Sequence, residues 1–230
     1  MEGRIAVMLL AAVGCGRIGF GDEAGQADQD ATARTYLFQD GFEDTLSPWM
    51  PLGNVVVDSG PPLAMEGTST LKAQGNTATS ARAQVMLPRN VMSGAFFVRG
   101  YFYLPSGYPI TDLSLVEIVQ AQTDNLIVMS VPELAVLSQI DTSGRASTFV
   151  LPRDVWLCIE TRVGIADAPN GTIDIWVDGV LRLSTTSSDT LSTGIDELHI
   201  GVTWAGPAQA PAVVYVDDVI ADNTGLIGCR

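Results

Sequence analysis

Few side chains in this sequence are of the types that carry out acid–base chemistry. Glu160 and Glu197 are carboxylates that could form a hydrolytic pair if the fold brings them together. His199, the single histidine, is a candidate base, with Tyr101 as a candidate acid. A lone histidine in a strand is more often structural, and no Ser-His-Asp motif, zinc-ligand spacing, phosphate-binding glycine loop or nucleotide fingerprint occurs. The sequence therefore leaves enzymatic activity open and offers only these catalytic candidates.

A second group of residues has the types that recognise sugars. Aromatic rings stack on sugar rings, while arginine and carboxylate groups form hydrogen bonds with hydroxyls. Because alternate residues of a strand lie on one face, the sequence gives a ligand-binding set of Arg99, Tyr101, Tyr103, Glu160, Arg162, Trp176 and His199. If their faces point the same way, these residues line one groove. The alternative is an inert sheet surface, since the outer face of any antiparallel sheet also alternates polar residues.

The elements that must position these residues are strands. Residues 156–183 contain two alternating runs around Pro169-Asn170-Gly171, and a second turn follows at Asp178-Gly179. This is the pattern of two consecutive β-hairpins. About a dozen short strands separated by turn residues can be read along the chain, without a sustained helical period. The sequence therefore predicts an all-β sandwich or barrel over residues 35–230.

Composition limits the partners of such a domain. The chain has 230 residues, 47% of them hydrophobic, and a net charge of -14. An acidic surface repels nucleic acid, anionic lipid headgroups and anionic polysaccharides unless a local basic patch exists. The twelve basic residues form no cluster along the sequence. We therefore expect that the protein does not bind nucleic acid. We also expect a monomer.

The first fifteen residues resemble a targeting signal. Arg4 precedes a short apolar run, and small residues come before Cys15, as in a bacterial lipobox with Cys15 as the lipid-modified residue. The alternative is an ordinary secretory signal that is cleaved near Gly14 or Gly16. Residues 16–34 are rich in Gly, Ala, Gln and Asp and read as a flexible acidic tether. The sequence thus predicts an exported lipoprotein anchored at the cell envelope, or a secreted protein if Cys15 carries no lipid.

The other two cysteines can pair in that compartment. With Cys15 assigned to lipid, Cys158 and Cys229 remain, and exported domains commonly contain disulfides. A bridge between them would tie the C-terminal end of the chain to the sheet. The alternative is two free thiols, because a buried cysteine also behaves as a small apolar residue.

Four motifs resemble the concanavalin A-like lectin/glucanase superfamily, including its laminin-G-like domains. They are Trp156-Leu-Cys-Ile-Glu160, Gly171-Thr-Ile-Asp-Ile-Trp-Val-Asp-Gly179, Glu197-Leu-His-Ile-Gly201 and Tyr215-Val-Asp-Asp-Val219. The resemblance implies a two-sheet antiparallel jelly roll whose concave face often holds sugars. The superfamily contains binding modules, enzymes and inert adhesion domains, so fold alone does not give the activity.

The resemblance favours a carbohydrate- or surface-binding module. One alternative is a polysaccharide-degrading enzyme, either a lyase or a glycosidase, and another is a structural envelope domain without a ligand. Glu197-Leu-His-Ile-Gly201 departs from the E-x-D-x-E motif of the endoglucanases at both later acids.

A structural calcium ion is also implied. Jelly rolls commonly bring their first and last strands side by side, which would place Asp40, Glu43 and Asp44 near Asp217 and Asp218. Carboxylate oxygens suit Ca²⁺, so we expect Asp40, Glu43, Asp217 and Asp218 as its ligands. The alternative is a set of solvated loop acids or turn residues.

Overall fold

The computed structural model describes residues 34–60, 62–77, 79–121, 123, 125–142, 144–167, 169–190 and 194–230. The predicted signal peptide, Cys15 and nearly all of the predicted tether lie outside these residues. The domain is one compact unit, Tyr36–Arg230.

Fifteen β-strands make up the regular structure of the described residues, without any helix. None of these residues therefore belongs to a helical membrane span. The strands are β1 (Phe38–Asp40), β2 (Met50–Leu52), β3 (Asn54–Asp58), β4 (Thr70–Gly75), β5 (Ala81–Val91), β6 (Gly94–Tyr103), β7 (Leu113–Gln120), β8 (Asn125–Val131), β9 (Glu133–Ser138), β10 (Gly144–Val150), β11 (Trp156–Ile165), β12 (Gly171–Val177), β13 (Val180–Ser188), β14 (Ile195–Ala205) and β15 (Ala212–Asp222).

The strands form two antiparallel sheets. Sheet A has the order β13-β12-β11-β6-β15-β4-β3, with β1 also paired to β15, and sheet B has the order β10-β9-β8-β7-β14-β5-β2. Apolar side chains from both sheets meet in one core. The all-β, two-sheet antiparallel sandwich predicted from the sequence is therefore confirmed.

The predicted hairpins form as the sequence indicates. In β11, Leu157, Ile159 and Val163 enter the core, while the alternate residues lie on the outer face of sheet A. The turn between β12 and β13 has positive φ at both Asp178 (50°) and Gly179 (73°). A two-residue turn of this kind matches the twist of the strands that it joins.

Strand β15 is buried along its whole length. Its Asp217 side chain is 0% exposed, and Oδ2 accepts hydrogen bonds from the backbone N–H groups of Met65 (2.7 Å) and Glu66 (3.0 Å). Glu43 Oε2 accepts a hydrogen bond from the next part of this loop, the N–H of Thr68, at 2.9 Å. Two carboxylates thus hold the loop of residues 65–68 against the sheet.

The chain ends in a segment, residues 223–230, that lies over the outer face of sheet A. Cys229 forms a disulfide with Cys158 of β11, with a Cα–Cα distance of 5.9 Å. The structure therefore contains the predicted disulfide. We call residues 223–230 the C-terminal segment.

The disulfide provides a first testable prediction. Cys229 is exposed, so Cys229→Ala removes the cross-link without opening a cavity. The two cysteines are separated by 71 positions, and a cross-link over this distance contributes about 4 kcal/mol in the chain-entropy model. We expect urea unfolding to show that the variant has lost nearly this much of its free energy of unfolding. Wild-type protein in reductant should unfold like the variant. Equal midpoints for the variant and the oxidised wild type would contradict the prediction.

Asp217 provides a second prediction. Burial raises its pKa to about 6, although the N–H groups of Glu66, Asp218 and Met65 partly oppose the shift. Between about pH 4 and pH 6 the folded protein therefore keeps a proton that the unfolded chain has released. The contribution of this group to stability is present at low pH and is lost as the pH rises through 6. A carboxyl ¹³C NMR titration should give a midpoint near 6 for the signal that Asp217→Asn removes.

The same titration tests calcium binding at this position. A cation bound to the Asp217 carboxylate would displace the proton and move the midpoint to lower pH. A titration repeated with millimolar calcium would show that displacement if Ca²⁺ binds here, and an unchanged midpoint would rule out Asp217 as a ligand. If the midpoint measured in the absence of calcium lay near the usual value for aspartate, it would contradict the predicted rise in the pKa of Asp217.

Candidate functional site

The outer face of sheet A contains six of the seven predicted ligand-binding residues. Strand register pairs Glu160 with both Arg99 and Trp176. The same face holds Tyr101 opposite Cys158, and Tyr103 opposite Trp156. The sequence thus assigns the correct face to Arg99, Tyr101, Tyr103, Glu160, Arg162 and Trp176.

The C-terminal segment occupies the centre of this face. The two oxygens of Glu160 accept hydrogen bonds from the backbone N–H groups of Ile227 (2.6 Å) and Gly228 (3.0 Å), and Glu160 is 3% exposed. The Tyr101 hydroxyl accepts a hydrogen bond from the N–H of Arg230 at 2.8 Å. Two residues that were predicted to contact ligand therefore hold the chain's own backbone.

Arg99 is used internally as well. It is 1% exposed, and its Nη1 donates to Asp218 Oδ2 at 2.6 Å. Its guanidinium carbon lies 5.0 Å from the centre of the Tyr101 ring, within the range of a cation–π contact. This geometry does not leave Arg99 accessible to a ligand in solution.

The remaining polar residues of the face pair with one another. Arg162 Nη1 donates to Asp174 Oδ2 at 2.8 Å, and Ser184 donates to the other oxygen of Asp174 at 2.6 Å. Tyr103 packs against Trp156, with ring centres 5.6 Å apart. The face is a connected set of intramolecular contacts.

His199 lies on the opposite side of the molecule. It belongs to β14 in sheet B, and its side chain lies on the outer face of that sheet with the side chain of Glu117. The outer faces of two packed sheets point in opposite directions. The expectation that all seven residues share one groove is therefore wrong.

The same separation divides the catalytic candidates. Glu160 and Tyr101 lie on sheet A, while His199 and Glu197 lie on sheet B. His199 thus cannot act with Tyr101 or Tyr103, and Glu160 cannot act with Glu197, in the folded domain.

On sheet B, His199 is the centre of a hydrogen-bonded cluster. The register places Gln84 of β5 and Glu117 of β7 on either side of it. Nδ1 lies 2.8 Å from Glu117 Oε2, and Nε2 lies 3.0 Å from Glu197 Oε1. Each ring nitrogen of His199 therefore has a carboxylate oxygen within hydrogen-bonding distance.

Arg82 and Gln84 complete this cluster. Arg82 Nη1 donates to Glu117 Oε2 at 3.2 Å. The side-chain amide of Gln84 satisfies its neighbours when its oxygen faces them. That oxygen then accepts hydrogen bonds from His199 Nε2 at 3.1 Å and from Arg82 Nε and Nη2 at 3.0 Å. We call this group the His199 cluster; its members are Arg82, Gln84, Glu117, Glu197 and His199.

A pocket of about 290 Å³ opens beside the His199 cluster. Its lining combines hydroxyl, amide and carboxylate groups with apolar side chains: Ser114, Glu117, Val128, Ser130, Leu137, Gln139 and Trp204. The Ser114 and Ser130 hydroxyl oxygens lie 3.0 Å apart across the strand pair. We call this the sheet B pocket.

Trp204 gives the sheet B pocket an aromatic wall. The residue is 45% exposed, so part of its indole ring is accessible to solvent. A polar floor with one accessible aromatic ring can bind a ligand that has both hydroxyl groups and an apolar face.

Sequence reasoning missed most of this site, although signals for it exist. Glu117 is a single carboxylate in the apolar strand LSLVEIVQ, where a buried charge needs partners. Arg82 and Gln84 alternate with alanines in β5, which indicates that they share a face. No signal in the sequence connects Trp204 with these residues.

The predicted calcium ligands do not form one set in the structure. Both oxygens of Asp40 accept hydrogen bonds, from Phe42 N at 2.7 Å and from Trp49 Nε1 at 2.8 Å. Asp218 is paired with Arg99, and Asp217 and Glu43 hold the backbone of residues 65–68. Among the described residues, no three Asp, Glu, His or Cys side chains are grouped to bind a metal ion. These donors do not fit Ca²⁺ as arranged, and calcium binding stays a prediction.

Comparison with known proteins finds similarity at the level of structure. No protein-family model and no curated protein matches the sequence. The cellulose-induced protein Cip1 has a TM-score of 0.66 and 17% identity, over 84% of this chain and 100% of that one. An endo-β-1,4-glucuronan lyase from the fungus Trichoderma reesei has a TM-score of 0.63 and 14% identity, over 83% and 96% of the two chains.

A third similar structure is the receptor-binding domain of botulinum neurotoxin type G. Its TM-score is 0.56 and its identity is 9%, over 84% of this chain and 49% of that one. At such identities the likeness concerns the fold alone. The chain shares their fold, a two-sheet antiparallel jelly-roll sandwich.

Proposed function

We propose that this protein is a carbohydrate-binding module and that its ligand occupies the sheet B pocket. The observation that carries the proposal is the accessible Trp204 indole next to the polar His199 cluster. A sugar ring has apolar C–H faces and a rim of hydroxyl groups, so it matches an aromatic wall and a polar floor.

The similar structures support this choice of ligand class. One of them is a glucuronan lyase. Another similar structure comes from botulinum neurotoxin type C, whose cell entry depends on interaction with two ganglioside molecules. The contrast between the two sheets also supports it, because sheet A is occupied by the C-terminal segment.

The His199 cluster is suited to holding the site in one shape. Its contacts link three strands of sheet B: Gln84 of β5 and Glu117 of β7 each contact His199 of β14, and Arg82 of β5 reaches Glu117 across β14. Arg82 and His199 both bond Glu117, so the carboxylate cannot turn without breaking two charge-assisted contacts. A floor that is fixed before binding reduces the entropy lost when a ligand is ordered.

A matched pair of tryptophan variants tests the site. Trp204→Ala removes the aromatic wall, while Trp176→Ala removes a tryptophan from the outer face of sheet A. A glycan microarray identifies a ligand, and calorimetry then measures its affinity. We expect Trp204→Ala to weaken binding about tenfold or more, equivalent to about 1.4 kcal/mol, and Trp176→Ala to leave it unchanged.

Three outcomes would count against the proposal. Binding that survives Trp204→Ala, or that falls equally in both variants, would place the ligand elsewhere. Absence of any glycan ligand would favour the structural envelope domain. Shortening of a polysaccharide during the same incubations, detected as reducing ends or unsaturated uronate, would favour the degrading enzyme.

We also propose that the domain is displayed outside the cytoplasm as a lipoprotein. The Cys158–Cys229 disulfide supports an oxidising compartment, and the pattern that ends at Cys15 supports a lipid anchor.

Replacing the acceptor cysteine tests the anchor. In cells that express the full chain, wild-type protein should incorporate radiolabelled fatty acid and sediment with membranes. Cys15→Ser should abolish the label and move the protein to a soluble exported fraction, since a secretory signal without lipid leaves no anchor. Equal labelling of both proteins would contradict the assignment of Cys15.

A further inference from the structure

A cleft of about 370 Å³ lies where the edge strand of sheet B, β10, approaches the edge strand of sheet A, β13. Its lining consists of residues 145–148 and 181–184. We call it the edge cleft. It involves no residue of the sheet B pocket, so it is a separate place on the domain.

The edge cleft brings two arginines together and orients both. Arg145 Nη1 donates to the carbonyl oxygen of Ser184 at 2.7 Å, across the gap between the two sheets. The guanidinium carbon of Arg182 lies 4.3 Å from the centre of the Phe149 ring. Phe149 packs against the core. A guanidinium that contacts a ring through its face keeps its in-plane N–H donors available.

Strand β10 is irregular where it lines the edge cleft. The pairing of β10 with β9 shifts register between Ala146 and Val150. Within the shifted part, Ser147 Oγ accepts a hydrogen bond from Phe149 N at 3.0 Å, so the Ser147 hydroxyl proton is free to donate. Such bulges often redirect side chains at the edge of a sheet.

Charge distinguishes the edge cleft from the rest of the surface. Among the described residues, neither Arg145 nor Arg182 has a carboxylate partner, although the protein has 26 acidic residues and a net charge of -14. Asp174, which accepts a hydrogen bond from Ser184 Oγ, is already paired with Arg162. Two oriented guanidinium groups without carboxylates have hydrogen-bonding capacity that an anion would use.

We propose that the edge cleft binds the carboxylate or sulfate group of an acidic polysaccharide. Guanidinium forks match the planar oxygens of a carboxylate and also bind sulfate, and the serine and threonine hydroxyls of the cleft can bind adjacent sugar hydroxyls. The net negative charge repels polyanions at long range. Recognition therefore depends on close contact with these two arginines and selects a ligand whose charges can enter the cleft.

The experiment compares wild-type protein with the double variant Arg145→Gln/Arg182→Gln. The matched control is Arg89→Gln, which removes an exposed arginine that bonds Asn223 elsewhere. Calorimetry is performed with a galacturonate oligosaccharide, with its methyl ester and with inorganic sulfate. We expect the acidic oligosaccharide to bind wild type and the control, and to bind the double variant at least tenfold more weakly. Methyl esterification should cause a similar loss.

The ligand arms identify the source of the anion. If sulfate binds in a way that requires both arginines and the oligosaccharide does not bind, the result supports the site and assigns it to free anions. Wild-type protein that binds neither ligand, or a double variant that binds as tightly as wild type, would overturn the proposal. Acidic oligosaccharide binding that Trp204→Ala abolishes and the double variant retains would also overturn it, while supporting the sheet B pocket.

Discussion

The burial of both faces of strand β15 is the constraint on which the rest of the domain depends. Its inner face packs in the core, and its outer face carries Asp217, Asp218 and Asp222, each at most 3% exposed. A carboxylate removed from water is strongly destabilising unless hydrogen bonds or opposite charge compensate it. Each carboxylate therefore requires partners, and these partners come from different parts of the chain. Asp217 binds the backbone of Met65 and Glu66, Asp218 binds Arg99, and Asp222 binds the start of the C-terminal segment.

This constraint explains why one face of the sandwich is closed and the other is accessible. On sheet A, Arg99 is paired with the buried Asp218, while Glu160 and Tyr101 hold the C-terminal segment. On sheet B, the contacts of the His199 cluster link β5, β14 and β7, and the sheet B pocket and Trp204 stay accessible. Polar residues of the same types therefore have different roles on the two faces. Those on sheet A hold the C-terminal segment, whereas those on sheet B surround an accessible pocket.

Much of the fold could be predicted from local pattern. The alternation in β11 and β6 correctly separates core residues such as Leu157 and Phe102 from outer residues such as Glu160 and Tyr101. The site could not be predicted in this way, because alternation shows which residues share a face of one strand and not which strands share a sheet. For this reason the sequence pattern predicts one groove for His199 and Tyr101, although they lie on different sheets. No local pattern indicates that the C-terminal segment crosses Glu160. The contacts that hold it there join Glu160 to Ile227 and Gly228, which follow it by 67 and 68 positions.

The distribution of positive charge follows from the same physics. In a protein with 12 basic and 26 acidic residues, a cation near the sheets normally finds a carboxylate, as Lys72 finds Asp58 and Arg82 finds Glu117. Arg153 instead donates to backbone carbonyls. Arg145 and Arg182 come from strands at the edges of different sheets and meet only because the two sheets approach each other at β10 and β13. Arg145 and Arg182 are 37 positions apart in the sequence, so only the fold brings them into one cleft.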